Sequence, residues 1–406
     1  MEYVTRSLEK DLGNYMNSKE ILGILGARQC GKTTMINHFL DNLKSKKKIE
    51  RISFDNLKTL EIFEEDTDLF IEKYVKGNDI LFIDEVQYSK DSGKKLKYIY
   101  DKENIKILIT GSSAPEMSIQ CLKYLVGRIL LFELYPFSFE EFLSYKDKIL
   151  HRVFLSKKIS ETSLKFLNEH LTEFLTYGGY PKVVLEKKKE NKKKLLEGIY
   201  SIFLLREIRE ILELSEDKKL RKLIKALSLQ IGNLIEYNEL SNLTGFSNTE
   251  LKKYLNILDK TFISKELSPF FSNKRTELVK TPKIYFFDLG FRNICINNFS
   301  EERADMGAIL ENFVFNELVK RNEKLINFWR TKSKAEVDFI IEKNSNLIPI
   351  EIKTNSNGKV SPSLKSFLEK YTPEKAYILS KIFKSEKKQG KTKLFFRPFI
   401  NFLSEF

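Results

Sequence analysis

One octapeptide constrains this chain more than any other stretch. Gly26-Ala27-Arg28-Gln29-Cys30-Gly31-Lys32-Thr33 satisfies G-x-x-x-x-G-K-[ST] completely. Ile21 to Leu25 before it is an apolar run short enough for a buried strand, and Thr34 to Leu43 after it carries apolar residues at helical spacing. Gly26 and Gly31 let the backbone turn tightly, so successive N–H groups and the positive helix end can face an anion. Residues Ala27, Arg28, Gln29, Cys30 and Thr34 complete the cradle. Lys32 is expected to reach the β- and γ-phosphates of ATP, and Thr33 to ligate Mg²⁺.

A second stretch fits the same chemistry. In Ile80-Leu81-Phe82-Ile83-Asp84-Glu85, four apolar residues end in two carboxylates, as in a parallel strand buried on both faces that delivers acids at its carboxyl end. Asp84 is expected to hold Mg²⁺ together with Thr33, and Glu85 to polarise a water for attack on the γ-phosphate. The strand Ile105 to Thr110 ends in Thr110-Gly111-Ser112-Ser113. The hydroxyls of Thr110 and Ser112 are candidates to sense the γ-phosphate, and a plain polar turn is the other reading. Arg128, just before the strand Ile129 to Leu134, is a candidate phosphate ligand in its own or a neighbouring subunit, or a surface arginine. Val4, Leu8 and Leu12 mark a short helix ahead of the sheet, and Ile52 to Asp55 a further strand. Together these segments predict an α/β sheet with the phosphate loop central.

With 406 residues there is room for two to four domains. A net charge of +14 suits a polyanionic partner, and equally a lysine-rich solvated surface. Three cysteines give neither a disulfide framework nor a cysteine-based zinc site, and three scattered histidines give no histidine metal site or triad. Met1-Glu2-Tyr3-Val4-Thr5-Arg6 shows no apolar signal segment, and no run approaches the length of a bilayer span. A cytoplasmic protein without a membrane partner is expected.

Four stretches carry a family resemblance: the phosphate loop through Thr34, Asp84-Glu85-Val86-Gln87, Thr110-Gly111-Ser112-Ser113, and Tyr135-Pro136-Phe137-Ser138-Phe139-Glu140-Glu141-Phe142-Leu143. The chain resembles the archaeal-type AAA ATPase family of prokaryotes. Tyr177-Gly178-Gly179-Tyr180-Pro181 and Lys280-Thr281-Pro282-Lys283-Ile284-Tyr285-Phe286-Phe287-Asp288-Leu289-Gly290 resemble its middle segments. The resemblance implies an ATPase core, then a helical and winged-helix region, then a restriction-endonuclease-like domain, and it implies ATP binding.

The remaining residues read compatibly. Amphipathic runs such as Ser163 to Leu175 and Leu195 to Leu214, broken at Gly178-Gly179 and Pro181, predict a helical lid beside the nucleotide. Within it Arg206 and Arg209 are either phosphate ligands or, paired with Glu207 and Glu210, a charged helix face. Asn238 to Leu243, a turn at Thr244-Gly245-Phe246, and a second helix capped by Ser247 with Glu250 predict a winged helix. It buries Leu251, Tyr254, Leu255 and Leu258 and turns Asn248, Lys252, Lys253 and Asn256 outward, to contact DNA or simply to be solvated.

The C-terminal part holds a separate set. Glu311 lies in a helix (Gly307 to Val319), Asp338 in Ala335-Glu336-Val337-Asp338-Phe339-Ile340-Ile341, and Glu351 and Lys353 in Ile348-Pro349-Ile350-Glu351-Ile352-Lys353. Alternation puts Glu351 and Lys353 on one face, and strand spacing of about 5 Å brings Asp338 near in a hairpin. This is the D…(E/D)-x-K pattern of restriction-endonuclease-like folds. Glu311, Asp338 and Glu351 are candidate ligands for Mg²⁺ or Mn²⁺, and Lys353 would position the nucleophile. The bland alternative is a hairpin whose charges face water.

The expected architecture is therefore a multidomain α/β chain. It comprises a P-loop ATPase core (1–143), a helical lid (144–232), a winged helix (233–298) and a restriction-endonuclease-like domain (299–406). The leading function is Mg²⁺-dependent ATP hydrolysis governing a DNA-binding and DNA-cleaving C-terminal region, with homo-oligomers left open. The rival is a nucleotide-driven switch with protein partners and an inactive nuclease-like domain.

Overall fold

The computed structural model describes residues 3–112, 122–202, 218–270, 281–323, 325–344 and 346–406. They fall into two compact units, one of residues 3–137 with 256–263, the other of 138–202, 218–255 and 264–406. Arg206, Glu207, Arg209, Glu210 and Ser113 lie outside the described residues.

The first unit is built on five parallel strands, β1 (Ile21–Gly26), β2 (Ile49–Ser53), β3 (Ile80–Asp84), β4 (Lys106–Ser112) and β5 (Ile129–Leu134), in the order β2-β3-β4-β1-β5. The phosphate-loop strand is thus internal, flanked by β4 and β5. Every residue of β3 is buried, which is why its sequence shows no alternation. Ile52, Phe54, Leu81, Ile83, Leu96 and Ile109 form the core on one side of this sheet, each contributing about 1.5–3 kcal/mol by burial. The N-terminal helix Ser7–Tyr15 buries Leu8 and Leu12, as its spacing predicts.

In the second unit, helices run from Phe139–Lys146 to Lys218–Leu229. Ser138 and Glu141 cap the first of them reciprocally. These helices pack against the helices Leu289–Cys295, Met306–Lys320 and Phe399–Glu405 of their own unit. The Gly178-Gly179 and Asp288-Leu289-Gly290 stretches interlock. Asp288 accepts hydrogen bonds from Gly179 N at 2.7 Å and Phe291 N at 2.8 Å. A side chain on Gly178, at φ +74°, would strike the Asp288 carboxylate at 2.2 Å.

Helix Tyr237–Thr244, a turn at Gly245 (φ 73°) and helix Asn248–Lys260 precede an antiparallel pair, β6 (Ser264–Leu267) and β7 (Lys283–Phe286). A six-stranded mixed sheet follows, of β8 (Ile326–Arg330), β9 (Glu336–Lys343), β10 (Asn346–Ile352), β11 (Lys375–Ser380), β12 (Ser385–Gln389) and β13 (Thr392–Pro398). Its order is β12-β13-β11-β10-β9-β8. The hairpin β9–β10 turns where the sequence places it, and β10–β11 and β11–β13 are parallel.

Candidate functional site

The phosphate loop leaves β1 where Gly26 packs so closely on β5 that a Cβ would lie 2.2 Å from the Leu134 carbonyl. Gln29 (φ 61°) and Gly31 (φ 93°) take left-handed conformations, turning the chain into helix Lys32–Asp41. Ala27 and Cys30 are buried, while Arg28, Gln29 and Thr34 are exposed. The Lys32 ammonium is buried and donates to the carbonyls of Gly26 at 2.9 Å and Ala27 at 3.1 Å. Arg6, also buried, donates to the carbonyls of Cys30 at 2.9 Å and Tyr135 at 2.6 Å, fastening the loop from behind.

The acids of β3 end beside this loop. Thr33 Oγ1 donates to Asp84 Oδ2 at 2.9 Å, and the Thr110 hydroxyl donates to Asp84 Oδ1. Thr110 also accepts from the backbone N–H of Glu85 at 3.4 Å. Ser112 pairs through its backbone with Gly26. Glu85 sits in the left-handed region (φ 55°, ψ 46°), and its carboxylate accepts from the buried Gln87 amide. The loop carbonyls hold one ammonium, and a hydroxyl and a carboxylate meet at the loop's exit. Such hard oxygen donors, with a helix N-terminus, fit a nucleotide with Mg²⁺.

The second cluster lies between β7, β9, β10 and the helix Met306–Lys320. Lys283, 1% exposed, places its ammonium 2.9 Å from Glu311 Oε1 and 2.6 Å from Glu336 Oε1. Tyr285 donates to the same Glu311 oxygen, and Arg330 reaches Glu336 Oε2 at 2.6 Å. The half-buried Asp338 accepts from Ile352 N at 2.6 Å. Burial and the charge of Glu311 push its carboxyl up to about 8, against the pull of Lys283. For Lys283 itself burial works downward, and the charges of Glu311, Asp338 and Glu336 overcome it, holding the ammonium above its ordinary value. Glu351, 4% exposed, pairs with Lys353 at 2.8 Å through Oε1, and its Oε2 has no hydrogen-bond partner.

On the helix–turn–helix, Asn248, Lys252, Lys253 and Asn256 are all exposed, and Ser247 with Glu250 caps the second helix. The preceding helix Lys218–Leu229 exposes Lys218, Lys219, Lys222 and Lys225. Lys219 Nζ donates to the carbonyl of Gly245 in the turn at 3.4 Å, so this basic helix abuts the motif.

Residues 18–143 match the model of an AAA domain. Residues 168–302 and 306–396 match two domains of unknown function, DUF8612 and DUF4143. An uncharacterized protein of Methanocaldococcus jannaschii is 28% identical over 87% of this chain and 79% of its own length. One from Haemophilus influenzae is 26% identical over 81% of each. Among solved structures, the Walker-type ATPase PABY2304 of Pyrococcus abyssi covers 72% of this chain and 96% of its own at 17% identity, with a TM-score of 0.43. The Aeropyrum pernix ORC1 protein in complex with DNA covers 79% and 95% at 11% identity, with a TM-score of 0.30.

Around the phosphate loop Lys32, Thr33, Asp84 and Thr110 lie together, and Arg128 stands apart from them. Arg128 stands at the amino end of β5, its carbonyl bonded to Ile21 N, while the phosphate loop follows the other end of β1. A six-residue strand puts roughly 16–20 Å between them. The guanidinium pairs instead with Asp101 at 2.9 and 3.3 Å, so it does not serve the loop of its own chain. Thr110 acts through Asp84, with its hydroxyl already committed there. Two further residues support this site, Arg6 from behind the loop and Gln87 beside Glu85. Arg6 left no local signal, whereas Gln87, a polar residue two places after the acidic pair, could have been weighed.

In the second cluster Asp338, Glu351 and Lys353 come together as the alternation predicts. Glu311 reaches the cluster engaged by Lys283 and Tyr285. Among the described residues no group of three His, Cys, Asp or Glu side chains stands in metal-holding geometry, and the cation in contact with Glu311 is the Lys283 ammonium. Lys283 and Tyr285 were readable as one face of a strand, two residues apart in an otherwise apolar run. Among the described residues no helix is long and apolar enough to cross a membrane.

Proposed function

We propose that this chain is a cytosolic Mg²⁺-dependent ATPase that binds DNA, with its nucleotide state governing the DNA-binding region. The observation that carries the reading is the 2.9 Å hydrogen bond from Thr33 to Asp84, which joins the phosphate loop to the acidic strand. Lys32 exchanges its two carbonyl partners for phosphate oxygens when the triphosphate enters. Thr33 and Asp84 would hold Mg²⁺, which supplies positive charge against the phosphate oxygens. Glu85 accepts the proton of the attacking water at its carboxylate. Gln87 donates to one oxygen of that carboxylate and so orients it, leaving the other oxygen for the water.

For DNA, the support is the run of exposed lysines on Lys218–Leu229 together with the exposed Asn248, Lys252, Lys253 and Asn256, on two helices joined by a turn and followed by the antiparallel pair β6–β7. Lysines on the first of these helices suit phosphate contacts, and the second helix is the one a winged helix lays in the major groove. ATP turnover measured with and without single- and double-stranded DNA tests the whole reading. Stimulation by DNA is expected; an ATPase indifferent to DNA, with no salt-dependent DNA affinity, overturns the DNA part.

DNA cleavage at Asp338, Glu351 and Lys353 is the second reading, favoured by the unpartnered Glu351 Oε2. Engagement of Glu311 by Lys283 and Tyr285 weighs against it. Supercoiled plasmid incubated with the full chain and Mg²⁺ or Mn²⁺ is expected to stay intact. Nicking that disappears in Lys353→Ala would establish the second reading.

A further inference from the structure

We infer that the acidic cluster of the C-terminal sheet carries its own cation, the Lys283 ammonium, and that this ammonium stands where a divalent ion would have to bind. The inference rests on reading the cluster as nuclease-like in its residue set. It assigns the reason that set is silent.

Three observations carry it. The first is position. Lys283 bridges Glu311 Oε1 and Glu336 Oε1 at 2.9 and 2.6 Å, so one ammonium ties the helix Met306–Lys320 to β9. A divalent ion closing on the same oxygens at about 2.1 Å would have to share them with a positive charge already in contact. The second is how the ammonium is held. Residue 283 is paired with Leu267 of β6 on one side and bridged to Leu234 on the other, so both edges of its backbone are tied. Its ammonium lies 5.3 Å from the centre of the Phe328 ring and is 1% exposed. Such a side chain is enclosed, with its ammonium in contact with both acids. The third is a shared face. Tyr285, two residues along β7, donates to the Glu311 oxygen that Lys283 also occupies, so β7 delivers a cation and a hydroxyl to one carboxylate. On the other side of Glu311, Gly232 approaches so closely that a Cβ there would lie 3.3 Å from Oε2.

Glu351 is the exception. Its Oε2 is buried and unpartnered, and Asp338 feels the charges of both Lys283 and Glu351, so this oxygen is the one an incoming metal shared with Asp338 would gain most from once the ammonium is removed. Deleting the ammonium should therefore open a cation site, and Glu351 should report it.

The test is Mn²⁺ uptake by the full, nucleotide-free chain, read from the electron paramagnetic resonance signal of free Mn²⁺. Wild type is expected to take up no ion that depends on Glu351. Lys283→Met, which keeps the side-chain length and removes the charge, is expected to take up one per chain, and Lys283→Met with Glu351→Gln none. Circular dichroism confirms folding. Should Lys283→Met prove too unstable, Lys283→Gln, which retains a neutral donor, replaces it. Two results overturn the inference. A wild-type ion that Glu351→Gln abolishes would mean that Lys283 and a metal coexist, and accompanying plasmid nicking would leave the nuclease-like reading standing. A folded Lys283 variant without uptake would mean that the carboxylates form no cation site at all, and the nuclease-like reading would fall too.

Discussion

The phosphate loop and the C-terminal cluster both gather carboxylates around a buried lysine, and they differ in what the lysine touches. Lys32 rests on two backbone carbonyls, and the nearby Asp84 is held by two neutral hydroxyls, from Thr33 and Thr110. Those bonds can be exchanged for an anion and its metal without stranding a charge. Lys283 instead closes ion pairs with Glu311 and Glu336, and removing the ammonium leaves the Glu311 charge uncompensated. The first arrangement is poised for a ligand. The second is complete in itself.

The largest expected effect breaks the first half of this contrast. Lys32→Ala should abolish ATP binding by calorimetry while leaving the melting temperature of the nucleotide-free chain close to wild type. Next, Glu85→Gln should keep ATP affinity and lower kcat by roughly 10²–10⁴-fold in a steady-state assay; undiminished turnover would remove Glu85 from its role. The second half predicts the opposite balance. Lys283→Met should cost about 3–5 kcal/mol in urea unfolding, since it leaves Glu311 without its cation, and ATP affinity should not move.

Smaller effects sharpen the picture. Lys252→Ala with Lys253→Ala should reduce the slope of log affinity for duplex DNA against log salt by about 2, if both lysines meet phosphates. The smallest concerns a buried lysine with fewer acids around it. Lys192 donates to the Val183 carbonyl at 2.7 Å and shares Glu173 with Lys146, at 3.3 and 2.8 Å. Burial and the Lys146 charge, opposed by Glu173, bring its ammonium down to about 8. The folded chain then sheds this proton at lower pH than the unfolded chain. Stability should therefore rise with pH between about 8 and the ordinary lysine value of 10.5. In Lys192→Met that rise should shrink in pH-dependent melts, leaving the part contributed by Lys106, whose ammonium burial also brings down to about 8.

Much of the fold was legible because its signals are local. The apolar run before Gly26, the unbroken apolar β3, the capping pair Ser247 and Glu250 and the hairpin around Asn344 each declare themselves within a few residues. The strand β12 did not, since Ser385-Glu386-Lys387-Lys388-Gln389 is a polar edge strand whose only cue is the turn at Gly390, φ 58°. The place of Arg128 is hidden in the sequence for a related reason. Its neighbour Gly127 and the strand that follows are visible in sequence, but which end of the sheet it occupies depends on the pairing of β5 with β1. Arg6 shows the same limit, because its partners Cys30 and Tyr135 are 24 and 129 residues away.

The order of residues alone sets the chemistry on offer: a glycine loop with lysine and threonine, an acidic pair ending a buried strand, and two acids with a lysine on a later hairpin. Spacing along a strand or a helical turn decides which side chains share a face, so such sets can be read without coordinates. Only the tertiary structure decided which cation each acid meets. Lys283 finds Glu311 and Glu336 because β7, the helix Met306–Lys320 and β9 are packed together, and a charge buried among neighbours distant in sequence is governed by that packing rather than by any local pattern.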